Sequence, residues 1–273
     1  MKVDQLKLKK DMTVSELIEQ FDKSGVLGAG RVARASNLLV NMINDEDMDI
    51  FMSLGGPLVP GGMRNIVADL IRQKRIKVLI TSGANITHDL LEAFGGRHYR
   101  DLGTNDEELN DAGIGRIADV YTQGEDFEVF ESEIIKIFEK ISKDLDNDED
   151  NGIISIQRLL KEVGLLIDDD NSILRQAALN DVSIFAPGLI DSMFGLQLWM
   201  FTQDHTLVVD AVGDMHYLSD LVFESNKIGA ITEMEYEYRT QDPLPLFEPY
   251  QQMPEEEKEL YVSIVNELGA CVK

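Results

Sequence analysis

Two glycine-rich segments carry residue types suited to holding an anion: Gly55-Gly56-Pro57-Leu58-Val59-Pro60-Gly61-Gly62 and Thr81-Ser82-Gly83-Ala84-Asn85. Each follows a short apolar run, IFMSL or KVLITS, and each leads into a helix-like stretch. A strand-turn-helix unit leaves backbone N–H groups aimed outward at a helix start, where the helix dipole also favours a phosphate. Glycine in such a turn permits positive φ and lets a ligand approach the backbone closely. The chemistry to test first is therefore the binding of a nucleotide-type cofactor. A third strand end, Ala186-Pro187-Gly188-Leu189-Ile190-Asp191-Ser192, places Asp191 just after a strand and makes it the best candidate acid. Among the histidines His88, His98, His205 and His216, only His88 follows such a turn, at the carboxyl end where parallel sheets bind ligands. A histidine on a helix surface is the competing reading of that residue.

Other patterns do not hold. Gly28-Ala29-Gly30-Arg31-Val32-Ala33 matches the GxGxxA form of a dinucleotide fingerprint, but only Val26-Leu27 separates it from a preceding helix, so a glycine-rich helix-helix turn is the alternative. The acidic loop DLDNDEDNG sets Asp146, Asp148 and Asp150 two apart, yet an EF-hand needs Gly and Glu where Asn151 and Gln157 stand. No Ser, His and Asp set has the context of a nucleophile elbow, and no Cys/His cluster has zinc-like spacing, so no metal is expected.

These turns need elements to hold them. Thr13 and Glu16 form a capping box ahead of an amphipathic helix with Val14, Leu17, Ile18 and Phe21 on one face. The pattern then predicts a helix over 31–44, a strand over 49–54, a helix over 62–74, a strand over 76–82 and a helix over 86–94. GRIADVYT reads as a short strand, 126–145, 153–166 and 171–180 as helices, 183–187 as a strand, 205–211 as the last strand of the sheet, and 214–226 as a helix. Alternating strands and helices argue for a Rossmann-like parallel sheet with helices on both faces, one α/β domain. Beyond Ala230 the segment EMEYEYRTQDPLPLFEPYQQM alternates acidic and aromatic residues and carries Pro243, Pro245 and Pro249, which suits irregular chain before a final helix over 254–268.

Composition narrows the partners. With 25 basic and 50 acidic residues in 273 the net charge is −25, which repels nucleic acid and anionic lipid and attracts polyamines and basic protein surfaces. The single Cys271 cannot form an internal disulfide, and no run has the length of a spanning helix or a signal peptide. A cytoplasmic protein is expected.

The segments GGPLVPGGMRNIVADLI, KVLITSGANITHDLLEAFGG, GRHYR, DEEL…GIGRIADVY, NSILRQAALNDVSIFAPGLIDS and FGLQLW, in this order over about residues 14–230, resemble the deoxyhypusine synthase family, in particular its prokaryotic deoxyhypusine synthase-like branch. The resemblance implies an NAD-binding α/β domain over 1–230, with 231–273 a divergent tail, assembling as a homotetramer or a mixed tetramer. It implies NAD as cofactor, spermidine or a related polyamine as donor, and a lysine of a translation factor as acceptor of the aminobutyl group. Carried over by position, Gly56, Pro57 and Pro60 would meet NAD at the first turn, Thr81, Ser82 and Gly83 at the second, and Asp191 near a ribose; His88 is the candidate catalytic residue.

The departures bear on activity. Many members have serines in the first turn and paired glutamates after the second, where Gly56, Pro60, Thr87 and His88 stand, and Leu196 occupies the place of an aspartate often used to bind polyamine. The family's lysine-bearing Ser-Trp-Gly-Lys segment is not found in 231–273; neither Lys258 nor Lys273 has its context, and Lys227 is expected on an exposed helix. Two alternatives follow: a regulatory subunit that joins a complete paralogue, or an NAD dehydrogenase directed at polyamines.

Overall fold

The structure, a computed structural model, describes residues 2–55, 57–100, 103, 105–117, 119–145 and 152–232. Gly56, the acidic loop at 146–150 and the tail from 233 onward, with its expected helix at 254–268, lie outside the described residues. In chain order the elements are α1 Val14–Ser24, α2 Leu27–Asn44, β1 Asp49–Leu54, α3 Arg64–Arg72, β2 Val78–Thr81, α4 Gly83–Ala93, β3 Tyr99–Arg100, α5 Asp106–Asp111, β4 Gly115–Ile117, β5 Val120–Thr122, α6 Gly124–Leu145, β6 Ile153–Ser155, α7 Ile156–Leu166, α8 Ile173–Asn180, β7 Ser183–Phe185, α9 Met193–Phe201, β8 Val208–Asp210, α10 Gly213–Glu224 and β9 Ile228–Thr232.

The chain divides into two compact units, Met1–Met48 and Asp49–Lys273. In the first, the capping box forms as the sequence requires: Thr13 Oγ1 accepts from the Glu16 N–H at 3.2 Å and Glu16 Oε2 accepts from the Thr13 N–H at 2.8 Å. Gly25 ends α1 in the left-handed region at φ 66°, and its N–H donates to Phe21 O. Gly28 and Gly30 lie inside α2, and a Cβ on Gly30 would sit 2.4 Å from the Gly25 carbonyl carbon. The GxGxxA motif is thus a close helix-helix corner, with no strand before it, and the fingerprint reading falls.

In the second unit, four parallel strands run in the order β7-β2-β1-β9. Phe51 aligns with Val78, Met52 with Leu79, and Leu79 with Ile184. Successive side chains point to opposite faces. Leu54, Leu79 and Ile184 therefore join one core with Val67 and Ile71 of α3, Leu90 of α4, Phe138 of α6, Leu160 of α7 and Leu174 of α8. Phe51, Val78 and Phe185 turn the other way, onto Leu218, Leu221 and Val222 of α10. Helices thus cover both faces, and each large side chain so buried contributes about 1.5–3 kcal/mol.

Three expectations need correction. Val208–Asp210 does not extend this sheet but pairs with Ile153–Ser155 in a separate parallel ladder. The sheet ends instead on Ile228–Thr232, beside β1; its IGAIT sequence holds too few bulky residues to stand out as a buried strand. The helix expected from 153 starts at Ile156, because Ser155 closes β6 and then caps α7 by accepting from the Arg158 N–H at 3.2 Å. GRIADVYT is two strands, β4 and β5, paired antiparallel, with β3 added on the other side of β5 and Tyr99 stacked on Tyr121.

Candidate functional site

Because β7, β2 and β1 are adjacent and parallel, their carboxyl ends open on one rim. Leu54 aligns with Thr81 and Ile80 with Phe185, so the three following turns leave the sheet at nearly one level. The first turn winds tightly over Val59–Met63: the Gly61 N–H donates to Pro57 O at 2.8 Å and the Met63 N–H to Leu58 O at 3.1 Å, with Gly62 at φ 87°. That positive φ is why glycine stands there.

Side chains join the turns to one another. Asn85 donates through Nδ2 to Thr81 Oγ1 at 3.2 Å and accepts from the Val59 N–H at 3.5 Å, linking the second turn to the first. Thr87 Oγ1 donates to Gly83 O at 3.0 Å and accepts from the Phe194 N–H at 3.1 Å, linking α4 to the helix after the third turn. Ser82 caps α4 by accepting from the Asn85 N–H at 3.3 Å, and Ser192 caps α9 by accepting from the Gly195 N–H at 3.2 Å.

The expected binding residues divide by exposure. Pro57 and Asp191 are exposed and Ser82 is half-buried, so these reach the rim surface. Pro60, Thr81 and Gly83 are buried and shape the turns from below. The first N–H groups of α4, apart from that of Asn85, which Ser82 Oγ accepts, have no partner inside the helix, a setting suited to an anion. Leu196, with Ile190, Leu198, Trp199 and Leu207, lines a groove of about 410 Å³ beside the third turn, so its walls are mainly apolar. Lys227 is exposed, in the link between α10 and β9 and not on a helix.

His88 is not on a helix surface. It is 8% exposed, on the buried side of α4, with Nδ1 2.9 Å from His98 Nε2; His98 Nδ1 lies 2.7 Å from Glu92 Oε1. Burial first, and then the neighbouring His98, push the His88 imidazole down to about 4, so it is neutral at neutral pH. Burial disfavours the Glu92 carboxylate, but the His98 hydrogen bond and the Arg64 charge outweigh it and hold Glu92 below the usual carboxylate range.

Beside this chain lies a buried ion pair. Arg64 Nε donates to Asp89 Oδ1 at 2.7 Å and Arg64 Nη2 lies 2.8 Å from Asp169 Oδ2. Burial opposes the Arg64 charge, yet the two carboxylates raise its pKa above the ordinary value. Asp89 also accepts from Ser172 Oγ at 2.9 Å and from the N–H groups of Ile173 and Leu174, both at 3.0 Å, so it anchors the start of α8.

Asn85, Asp89, Glu92 and His98 carry this architecture, and of these sequence reasoning singled out only Asn85, as part of the second turn. The signal was partial. His88 and Glu92 stand four apart as helix neighbours do. His98 gave none, because its place depends on how the chain turns back after α4. Among the described residues no cluster of His, Cys, Asp and Glu could hold a metal ion, and no helix is long and apolar enough to cross a membrane.

The family model described as deoxyhypusine synthase matches residues 16–232. The chain is 60% identical over 229 residues to a "Probable deoxyhypusine synthase" of Methanothermobacter thermautotrophicus, covering 84% of this chain and 73% of that one. A protein of the same description from Methanopyrus kandleri is 38% identical over 231 residues, 85% of this chain and 72% of that one. The crystal structure of a "putative deoxyhypusine synthase" from Entamoeba histolytica superposes with a TM-score of 0.64 at 18% identity, covering 84% of this chain and 78% of the other, a likeness of fold.

Proposed function

The chain belongs to the deoxyhypusine synthase family of enzymes, and we propose that it transfers the aminobutyl group of spermidine to a lysine of a translation factor with NAD as cofactor. The observation that carries this reading is the set of three turns at one strand rim, tied together by Asn85 and Thr87. NAD, when bound, supplies the hydride acceptor. The α4 N-terminus would take its phosphate, with Pro57 and Ser82 around it, while Pro60, Thr81 and Gly83 hold the turns in shape. Asp191 would hydrogen-bond a ribose hydroxyl, and His88 would handle the proton of the donor amine.

The surplus of 50 acidic over 25 basic residues draws a polycation toward the protein. The mainly apolar groove at Leu196 and Trp199 suits the methylene chain of the donor. The acceptor lysine, a tetrameric assembly and a cytoplasmic setting belong to the same reading.

The sequence after 230 favours a second reading, since no lysine there stands in the family's context: the protein oxidises a polyamine without transferring it, or serves a complete paralogue as a partner subunit. Calorimetry with NAD and spermidine, alone and together, tests the first step common to the catalytic readings. Synergy between the two ligands is expected, and absence of NAD binding would overturn them. NADH formation without labelling of an acceptor would select the dehydrogenase; activation of a full-length homologue by an inactive chain would select the partner subunit.

A further inference from the structure

We infer that Glu92, His98 and His88 form a proton relay, in which His88 takes a proton from the donor amine at Nε2 while His98 carries the resulting charge beside Glu92. The amine rests on the function proposed above; the relay rests on the geometry. His88 and Glu92 lie four residues apart on one face of α4. After α4 the chain reverses at Gly95, with φ +99°, and Gly96 packs against Leu91 so tightly that a Cβ there would meet Leu91 Cδ2 at 2.6 Å. This reversal brings His98 back along the helix, its ring 4.9 Å from that of His88 and edge-on to it.

The hydrogen positions follow from the partners. An ionised carboxylate only accepts, so Nδ1 of His98 carries the hydrogen shared with Glu92 Oε1 across 2.7 Å. With His98 neutral, its Nε2 is a lone pair that accepts from Nδ1–H of His88 across 2.9 Å and leaves Nε2 of His88 unprotonated, whereas an imidazolium His98 would donate across the same contact and put the hydrogen of His88 on Nε2. The relay requires the first arrangement, with a bare Nε2 on His88. Among the described residues this atom has no hydrogen-bond partner, and no buried side-chain nitrogen or oxygen lacks one, so Nε2 meets accessible surface. His88 stands about 7 Å along α4 from the helix start at the rim, nearer to it than Glu92.

The transfer balances without electrons changing hands. A substrate ammonium gives one proton to His88 Nε2, and the Nδ1 proton of His88 passes to His98 Nε2. His88 ends neutral and His98 ends as an imidazolium facing Glu92. The other charged groups around the relay are fixed: Arg64 of α3, 3.7 Å from Glu92, is itself held by Asp89 and Asp169, and Arg97 lies within the electrostatic reach of Glu92. His98 and Glu92 act through His88 and are positioning residues.

The decisive measurement is nitrogen-15 NMR of the imidazole rings in the full chain, where only four histidines need assignment, by His88→Gln and His98→Gln. At neutral pH we expect hydrogen on Nδ1 of both His88 and His98 and a bare Nε2 on His88. Hydrogen on Nε2 of His88 would overturn the relay whether or not the protein is active. NADH formation with spermidine, followed against pH, gives the kinetic arm. Glu92→Gln keeps a hydrogen-bond acceptor and removes only the charge, so turnover should fall roughly a hundredfold, the acid limb should move to lower pH, and KM should stay within about twofold. A fall in turnover with an unmoved limb would mean a structural role and sink the proposal. Wild-type protein that forms no NADH with any amine would defeat the function proposed above, while the ring tautomers would still decide the relay.

Discussion

Gly83 and Ser192 approach so closely that a Cβ on Gly83 would lie 2.5 Å from the Ser192 hydroxyl oxygen and 2.9 Å from the Leu189 carbonyl oxygen. One of these neighbours is backbone and Ser192 Oγ is itself engaged, donating to Leu189 O at 2.6 Å. The second and third turns are thus held at contact distance by the absence of a side chain.

Gly83→Ala should therefore push the third turn away from α4. Overpacking of this kind costs about 1–3 kcal/mol, read as a lower urea midpoint, and NAD affinity should fall with it. An alanine variant with unchanged stability and affinity would show that the turns can separate freely.

Asp191 is exposed and follows the third strand end, so its removal should touch binding and spare the fold. Asp191→Ala should keep the wild-type Tm and weaken NAD binding by about 1.5–3 kcal/mol, the worth of a hydrogen bond from a neutral group to a charged one. Calorimetry beside a thermal melt checks both halves.

Asp89 is 1% exposed and serves Arg64, Ser172 and the start of α8 together. Asp89→Ala leaves a buried guanidinium short of its main partner and should cost about 3–5 kcal/mol. Adding Arg64→Met should restore part of that loss, because the uncompensated charge goes with it. Equal destabilisation of single and double variants, measured by chemical denaturation, would contradict this account.

His88 makes stability depend on pH with a definite sign. Its folded value of about 4 lies below the ordinary 6.5, so between these limits the unfolded chain binds more protons than the folded one. Stability is fully present above about pH 6.5 and is lost as pH falls towards 4, by on the order of 3 kcal/mol. His88→Gln removes that loss, so its stability should fall less steeply than that of the wild type across the same window. Parallel curves would mean that the ring is not buried as described.

The capping box at Thr13 and the strand-turn-helix units that follow β1 and β2 were legible in the residues, because each is governed by neighbours a few positions away. The relay was half legible: His88 stood out by its place after a turn, whereas His98 was passed over. The edge strand at Ile228 was missed for a related reason, since its pairing with β1 is set by packing against Phe51 and the helix that precedes it.

What the sequence alone determined is the local grammar: where glycine permits a tight turn, where a serine or threonine starts a helix, and where a short apolar run makes a buried strand. Only the tertiary structure decided that Asp89 would meet Ser172, 83 positions away, that β8 would leave the main sheet for β6, and that His98 would fold back onto His88. The physical reason is range. Capping and periodicity act over one or two turns of chain, while a buried carboxylate or imidazole takes whichever partner the packed core brings within hydrogen-bond distance.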